Sequence, residues 1–120
     1  MVSTRELGEM AEGLALQHLV KLGYEIVATN WYHGHLELDI IAKDGEELVI
    51  VEVKARTGLR YEHPSEAVTN TKIKHIVEAA DAYIVENDLD VETRFDVITV
   101  IFVHQKFELE HFKDAFYPTM

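Results

Sequence analysis

Residues 36–56, LELDIIAKDGEELVIVEVKAR, hold both the clearest strand pair and the densest chemistry of the chain. Asp44-Gly45 lies between two apolar-alternating runs, which is a strong short-range hairpin signal. With these two residues as the loop, Lys43 pairs with Glu46, Glu37 faces Glu52, Asp39 faces Ile50 and His35 faces Lys54. Strand side chains alternate, so Leu36, Leu38, Ile40, Val49, Val51 and Val53 are expected to form one core face. The other face collects His35, Glu37, Asp39, Glu52 and Lys54 at one end and Ile41, Leu48 and Ile50 at the other.

Carboxylates opposed across a sheet repel unless a positive charge lies between them. A hard divalent cation with oxygen ligands meets that need, and Mg²⁺ is commonly held by one or two carboxylates together with substrate phosphate. Lys54, two residues beyond Glu52, would put an ammonium beside the same place. Such a set suits metal-assisted phosphodiester hydrolysis. The plainer alternative is an exposed sheet face with ordinary ion pairs, Glu52 with Lys54 or another neighbour. Both readings stand on the hairpin alone.

A chain of 120 residues with 48% hydrophobic content is expected to form a single domain, 1–120, around one core. No apolar run approaches the roughly 18 residues of a membrane span, and the N-terminal residues lack a signal-peptide apolar segment. No membrane partner and a cytoplasmic location are therefore expected. Without cysteine there is neither a disulfide framework nor a thiolate site. The formal charge of -11 argues against strong nonspecific binding to nucleic acid. Even so, five of the 11 basic residues, Lys54, Arg56, Arg60, Lys72 and Lys74, fall between positions 54 and 74. Only Glu62 and Glu66 oppose them there, which allows a local basic rim of weak, salt-sensitive affinity.

Ser3 followed by Glu6 reads as a capping box, and Gly23 as a C-terminal stop. Between them Leu7, Met10, Ala11, Leu14 and His18 recur at helical spacing. Glu9 lies off that stripe, either as a solvated charge or as an arm reaching towards the hairpin. Residues 24–28 read as a short first strand, followed by Thr29-Asn30-Trp31-Tyr32 and a His33-Gly34-His35 turn. Two histidines without a second His or Cys pair do not make a zinc site. Residues 55–67 read as a long irregular loop whose Arg56, Arg60 and Tyr61 suit phosphate contacts. A second helix is predicted from about Asn70 to Glu86, with Lys72, Lys74 and His75 in its first two turns. Cations there oppose the helix dipole, which a nearby bound anion would relieve. The run RFDVITVIFV reads as a central strand covered on both sides, with Asp96 paired to Arg94 or capping a neighbouring backbone. The tail predicts an edge strand with Phe107 and Leu109 inward, then a turn packing Phe112 and Phe116. The implied architecture is α/β, a mixed sheet covered by helices on both faces.

An ordered set of short motifs resembles the YraN-like family of bacterial proteins. It comprises Gly8-Glu9-Met10-Ala11, Gly23-Tyr24, Asn30-Trp31, Glu37-Leu38-Asp39-Ile40-Ile41, Val51-Glu52-Val53-Lys54, Ala67-Val68, Lys72, Ala79-Ala80 and Arg94-Phe95-Asp96-Val97. That family looks like part of the restriction-endonuclease-like, PD-(D/E)xK nuclease superfamily, which includes archaeal Holliday-junction resolvases. The resemblance implies a three-layer fold with a central mixed sheet and a Mg²⁺ or Mn²⁺ site. Asp39 and Glu52 would hold the metal with the Val53 carbonyl, and Lys54 would be the catalytic lysine. Glu9 would be the N-terminal helix carboxylate, and Glu37 would match the Glu of the family's Gly-Glu-Ile-Asp segment. Here Leu36 replaces that segment's usual glycine, and Lys72-Ile73-Lys74-His75 is less basic than the family's cluster.

These features make a metal-dependent endonuclease acting on DNA, branched or single-stranded, the leading expectation. Arg56, Arg60, Lys72 and Lys74 are its candidate nucleic-acid contacts. A non-catalytic nucleic-acid- or partner-binding module on the same fold, or a nuclease acting on RNA, are the alternatives. Junction-cleaving relatives imply a homodimer with an isologous interface. A serine hydrolase is discounted, because Ser3 is a cap and Ser65 has no nucleophile-elbow context.

Overall fold

The computed structural model describes residues 2–58 and 67–117. Helix α1 (Thr4–Lys21) opens with the predicted capping box: the Glu6 amide donates to Ser3 Oγ at 3.1 Å and the Ser3 amide to Glu6 Oε1 at 3.4 Å. It closes in a Schellman turn, with Gly23 at φ 90 donating to the Val20 carbonyl and Tyr24 to that of Leu19. The inward stripe is Ala11, Ala15 and Leu19, whereas Met10 is half exposed. This corrects the predicted stripe by a fraction of a turn. The small alanines let the helix lie close on the sheet, and the larger Leu14 and Leu16 flank the contact.

Strand β1 (Glu25–His33) is longer than predicted and carries the segment from Thr29 to His33 within it. It is followed by β2 (Leu36–Asp44), β3 (Glu47–Thr57), α2 (Asn70–Glu86), β4 (Thr93–Val103) and β5 (Lys106–Phe112). Because β3 runs on to Thr57, Arg56 is a strand residue rather than part of a loop. The five strands lie in the order β1-β2-β3-β4-β5, with β3 and β4 parallel and the other neighbours antiparallel. The parallel step is the one that α2 spans, since parallel neighbours need a crossover.

The hairpin register differs from the prediction by two residues. Asp44 pairs with Glu47, so the loop is Gly45-Glu46, and Ile41 pairs with Ile50. Gly45 at φ 65 takes the first loop position, where a II′ turn requires glycine.

Buried side chains form one layer on each side of the sheet. Ala11, Ala15 and Leu19 pack with Ile40, Ala42, Val49, Val51, Ile98 and Val100. On the other side Ile76, Ala79, Ala80 and Tyr83 of α2 pack with Leu36, Leu38, Ile41, Leu48, Ile50, Phe95 and Val97. Leu36 and Leu38 thus share a face with Ile41, not with Ile40, and the predicted single core face is divided between the two layers. The cause is a local break. Thr29 pairs with Ile40 and Trp31 with Leu38, but no rung joins Asn30 to Asp39, and Asn30 sits at φ 48. A left-handed residue in β1 inverts the side-chain alternation there, and β2 inverts with it. Among the described residues the mixed sheet carries one long helix on each face, a three-layer α/β architecture of the nuclease-like type.

At the far edge, β5 forms as predicted, although Phe107 is half exposed and only Leu109 packs inward. Phe112 and Phe116 both pack against the α2-side core. Asp96 meets both expectations at once. It is 0% exposed, accepts from Arg94 Nε at 2.9 Å and caps the Asp114 amide at 3.0 Å.

Candidate active site in the fork between two strands

The β2–β3 ladder ends at Ile40 and Val51. Beyond it, β2 continues with β1 down to Leu36, and β3 continues with β4 up to Thr57, so the two strands diverge into a fork. Continuing the register by one step would set Asp39 opposite Glu52. Instead Asp39 Oδ2 accepts the Val53 amide at 2.9 Å, a side chain closing the gap that the missing rung leaves.

The fork brings the Asp39 and Glu52 carboxylates together in a desolvated place. Burial pushes the Asp39 pKa up, Glu52 adds a shared-proton contact and charge repulsion, and together they carry it to about 8 against the Val53 hydrogen bond. Glu52 is 5% exposed, and its Oε2 is buried without a hydrogen-bond partner among the described residues. Lys72 Nζ of α2 lies 3.6 Å from that oxygen, near enough for attraction but beyond a good hydrogen bond. Glu52 is therefore paired with Lys72 and not with Lys54. Alternation along β3 sets half-buried Lys54 on the same face as Glu52, beside Thr99 of β4.

The remaining candidates surround this pair. Glu37 accepts the Asn30 side-chain amide at 3.1 Å, and the same amide donates to Glu12 at 2.9 Å. Burial raises the Glu12 pKa, and the charges of Asp39, Glu37 and Glu9 add to it, against the Asn30 hydrogen bond. Glu12 is thus the α1 carboxylate turned towards the fork. Glu9 is 67% exposed and forms an i,i+4 pair with Arg5, at the margin of the group. Sequence reading missed Glu12, although it lies one helical turn from Gly8 and beside Ala11 and Ala15 on the inward side. It also missed Asn30. Of the candidate nucleic-acid contacts, Lys72 is at the carboxylate pair, Lys74 is exposed on α2, Arg56 is on β3, and Arg60 lies outside the described residues, as does Tyr61.

The "Uncharacterised protein family UPF0102" model matches residues 11–100. The chain belongs to that family. UPF0102 proteins similar to it include one from Bacteroides thetaiotaomicron, 48% identical over 100% of this chain and 99% of the relative. Another, from Flavobacterium psychrophilum, is 44% identical over 98% of each chain. The UPF0102 family falls within the nuclease-like superfamily. In this UPF0102 chain, no described helix is long and apolar enough to cross a membrane.

The donor set fits a hard cation. It offers only oxygen, its carboxylates are buried against one another, and Glu52 Oε2 has no hydrogen-bond partner among the described residues. Among the described residues no group of three or more His, Cys, Asp or Glu side chains is arranged to hold a metal, so the candidate is a pair. Mg²⁺ suits a pair, since it retains several waters in its shell.

Proposed function

We propose that this UPF0102 protein is a metal-dependent phosphodiesterase that cuts DNA, branched or single-stranded, in the fork between β2 and β3. The observation that carries the reading is the buried Asp39–Glu52 pair, whose Glu52 Oε2 has an ion-pair neighbour in Lys72 but no hydrogen-bond partner among the described residues. Asp39, Glu52 and the Val53 carbonyl would hold Mg²⁺ or Mn²⁺, which supplies Lewis acidity and a template for the scissile phosphate. Lys54 would orient the attacking water, and its ammonium would offset charge developing on phosphorus oxygens. The Val53 amide fixes the Asp39 carboxylate, which lowers the cost of organising the site. Glu12 and Glu37, tied by Asn30, would hold the waters around the ion.

The test incubates purified protein with labelled duplex, single-stranded and four-way-junction DNA and with RNA, in Mn²⁺ or EDTA, beside Glu52→Ala. Manganese-dependent cutting absent from the variant supports the reading, and the preferred substrate names its class. No cutting at low salt, with or without binding, overturns it. A second reading, a binding module without turnover, is favoured by the net charge of -11 and by the pairing of Lys72 with Glu52, which removes one cation from the basic rim.

A further inference from the structure

The edge strand β1 carries an aromatic row that ends at the fork. Trp31 and His33, two residues apart, project on one face with ring planes within 7° and centroids 6.4 Å apart. Trp31 is braced edge-on by Tyr83 of α2, at 5.2 Å and 89°, and packs against the α2-side core. Its indole is therefore fixed before anything binds, while His33 is exposed. Trp31 pairs with Leu38 and His33 with Leu36, so the row starts one residue along β2 from Asp39. Beyond it His35 meets His75 of α2 at 6.5 Å. The first turn of α2 there contains no acidic residue and includes Lys72.

Parallel rings at alternate positions of a strand are a surface on which successive unpaired bases stack. Bases within a duplex already stack on each other and cannot use it. A braced ring also loses little freedom on binding. We infer that the β1 edge binds an unpaired stretch of nucleic acid, with bases on Trp31 and His33 and the backbone turned towards Lys72 and Lys74. The inference rests on the proposed nuclease reading for the destination of the strand, which is the Asp39–Glu52 fork. DNA and RNA share this chemistry.

Trp31 is the sole tryptophan, so its fluorescence reports directly on stacking. The full chain in EDTA is titrated at low salt with oligo(dT), oligo(U) and a duplex, each of about 12 nucleotides, within the span that single-strand sites cover. We expect quenching by a single strand, affinity at least about tenfold above that for the duplex, and a loss of about tenfold in His33→Ala, in keeping with one stacked base. His33 is a surface residue, and unchanged circular dichroism of the variant confirms its fold. The oligo(dT) and oligo(U) arms distinguish DNA from RNA. Equal affinity for duplex and single strand, absence of quenching, or an unaffected His33→Ala overturns the inference. Manganese-dependent cutting that persists with unchanged KM in His33→Ala sinks the stacking row and leaves the nuclease reading standing. Quenching without cutting of any substrate does the reverse.

Discussion

Asp39 accepts the Val53 amide at 2.9 Å across the point where β2 and β3 part, and this contact presses its carboxylate against Glu52. An amide left without a ladder partner takes a side chain instead. The chain thereby stores two like charges in one buried place, an arrangement that favours either a proton or a cation between them.

A first prediction concerns that choice. The folded pKa of Asp39, raised to about 8 by burial and then by Glu52, lies above its unfolded value of about 3.9. The folded state holds the extra proton between those values, so the stability it contributes is lost as pH rises through about 8. In EDTA, the melting temperature should fall between about pH 6.5 and 8 and level off above that, and the fall should be less steep in Asp39→Asn. Mg²⁺ or Mn²⁺ at ten times its Kd should add about 1.4 kcal/mol, a rise of several degrees. That rise should grow with pH as the proton ceases to compete, and should vanish in Asp39→Asn. Thermal melts across pH with and without metal decide it. A metal effect that is absent or flat with pH would count against a preformed site.

Asn30 supports a second. Its backbone is left-handed at φ 48, and its amide holds Glu12 and Glu37. Asn30→Ala loses both contacts and also carries the left-handed strain, whereas Asn30→Gly loses only the contacts. Ala should therefore be less stable than Gly by about 1 kcal/mol in urea unfolding. Equal stability would show that the side chain, not the backbone, is what the position requires.

The third lies on the opposite half of the sheet. Arg94 binds Asp96, Asp44, Glu47 and the Tyr24 hydroxyl, while His111 bonds Asp96 at 2.7 Å and His18 at 3.0 Å. Burial works against ionised Asp96, but the hydrogen bonds from His111, Arg94 and the Asp114 amide outweigh it and hold its pKa low. Its contribution is present above the unfolded pKa of about 3.9 and is lost as pH falls through the lower folded value. His18 is also held low, by burial first and then by His111, Lys113 and Lys21. The unfolded chain takes up that proton sooner, so stability should begin to fall as pH drops below about 6.5. His18→Gln should flatten the upper part of this acid limb and Asp96→Asn the lower part. Arg94→Ala, which leaves buried Asp96 with only His111 and the Asp114 amide, should cost about 3 kcal/mol in urea unfolding. A loss below 1 kcal/mol would show that the network is not holding α1, the hairpin and β5 together.

The caps of α1, helix α2 and strand β4 were legible from local patterns such as Ser3 with Glu6 and glycine after α1. The Leu-Glu-Leu-Asp and Val-Glu-Val-Lys runs named Asp39 and Glu52 as candidates, whereas Glu12 was not legible. Such signals depend on residues a few positions apart, and periodicity records them. The family resemblance could name Asp39, Glu52 and Lys54 for the same reason. Tertiary structure alone decided how those residues meet. Asp-Gly suggested a loop that Gly45-Glu46 in fact provides, since either choice keeps the same alternation and only packing against α1 and α2 selects the register. The inversion at Asn30 was invisible because nothing in a residue's identity announces a left-handed backbone inside a strand. Glu12 and Lys72 came to the fork from two helices on opposite faces of the sheet. Their places depend on how each helix is rotated on its core, a choice made by alanine contacts and sheet twist over the whole domain rather than by spacing along the chain.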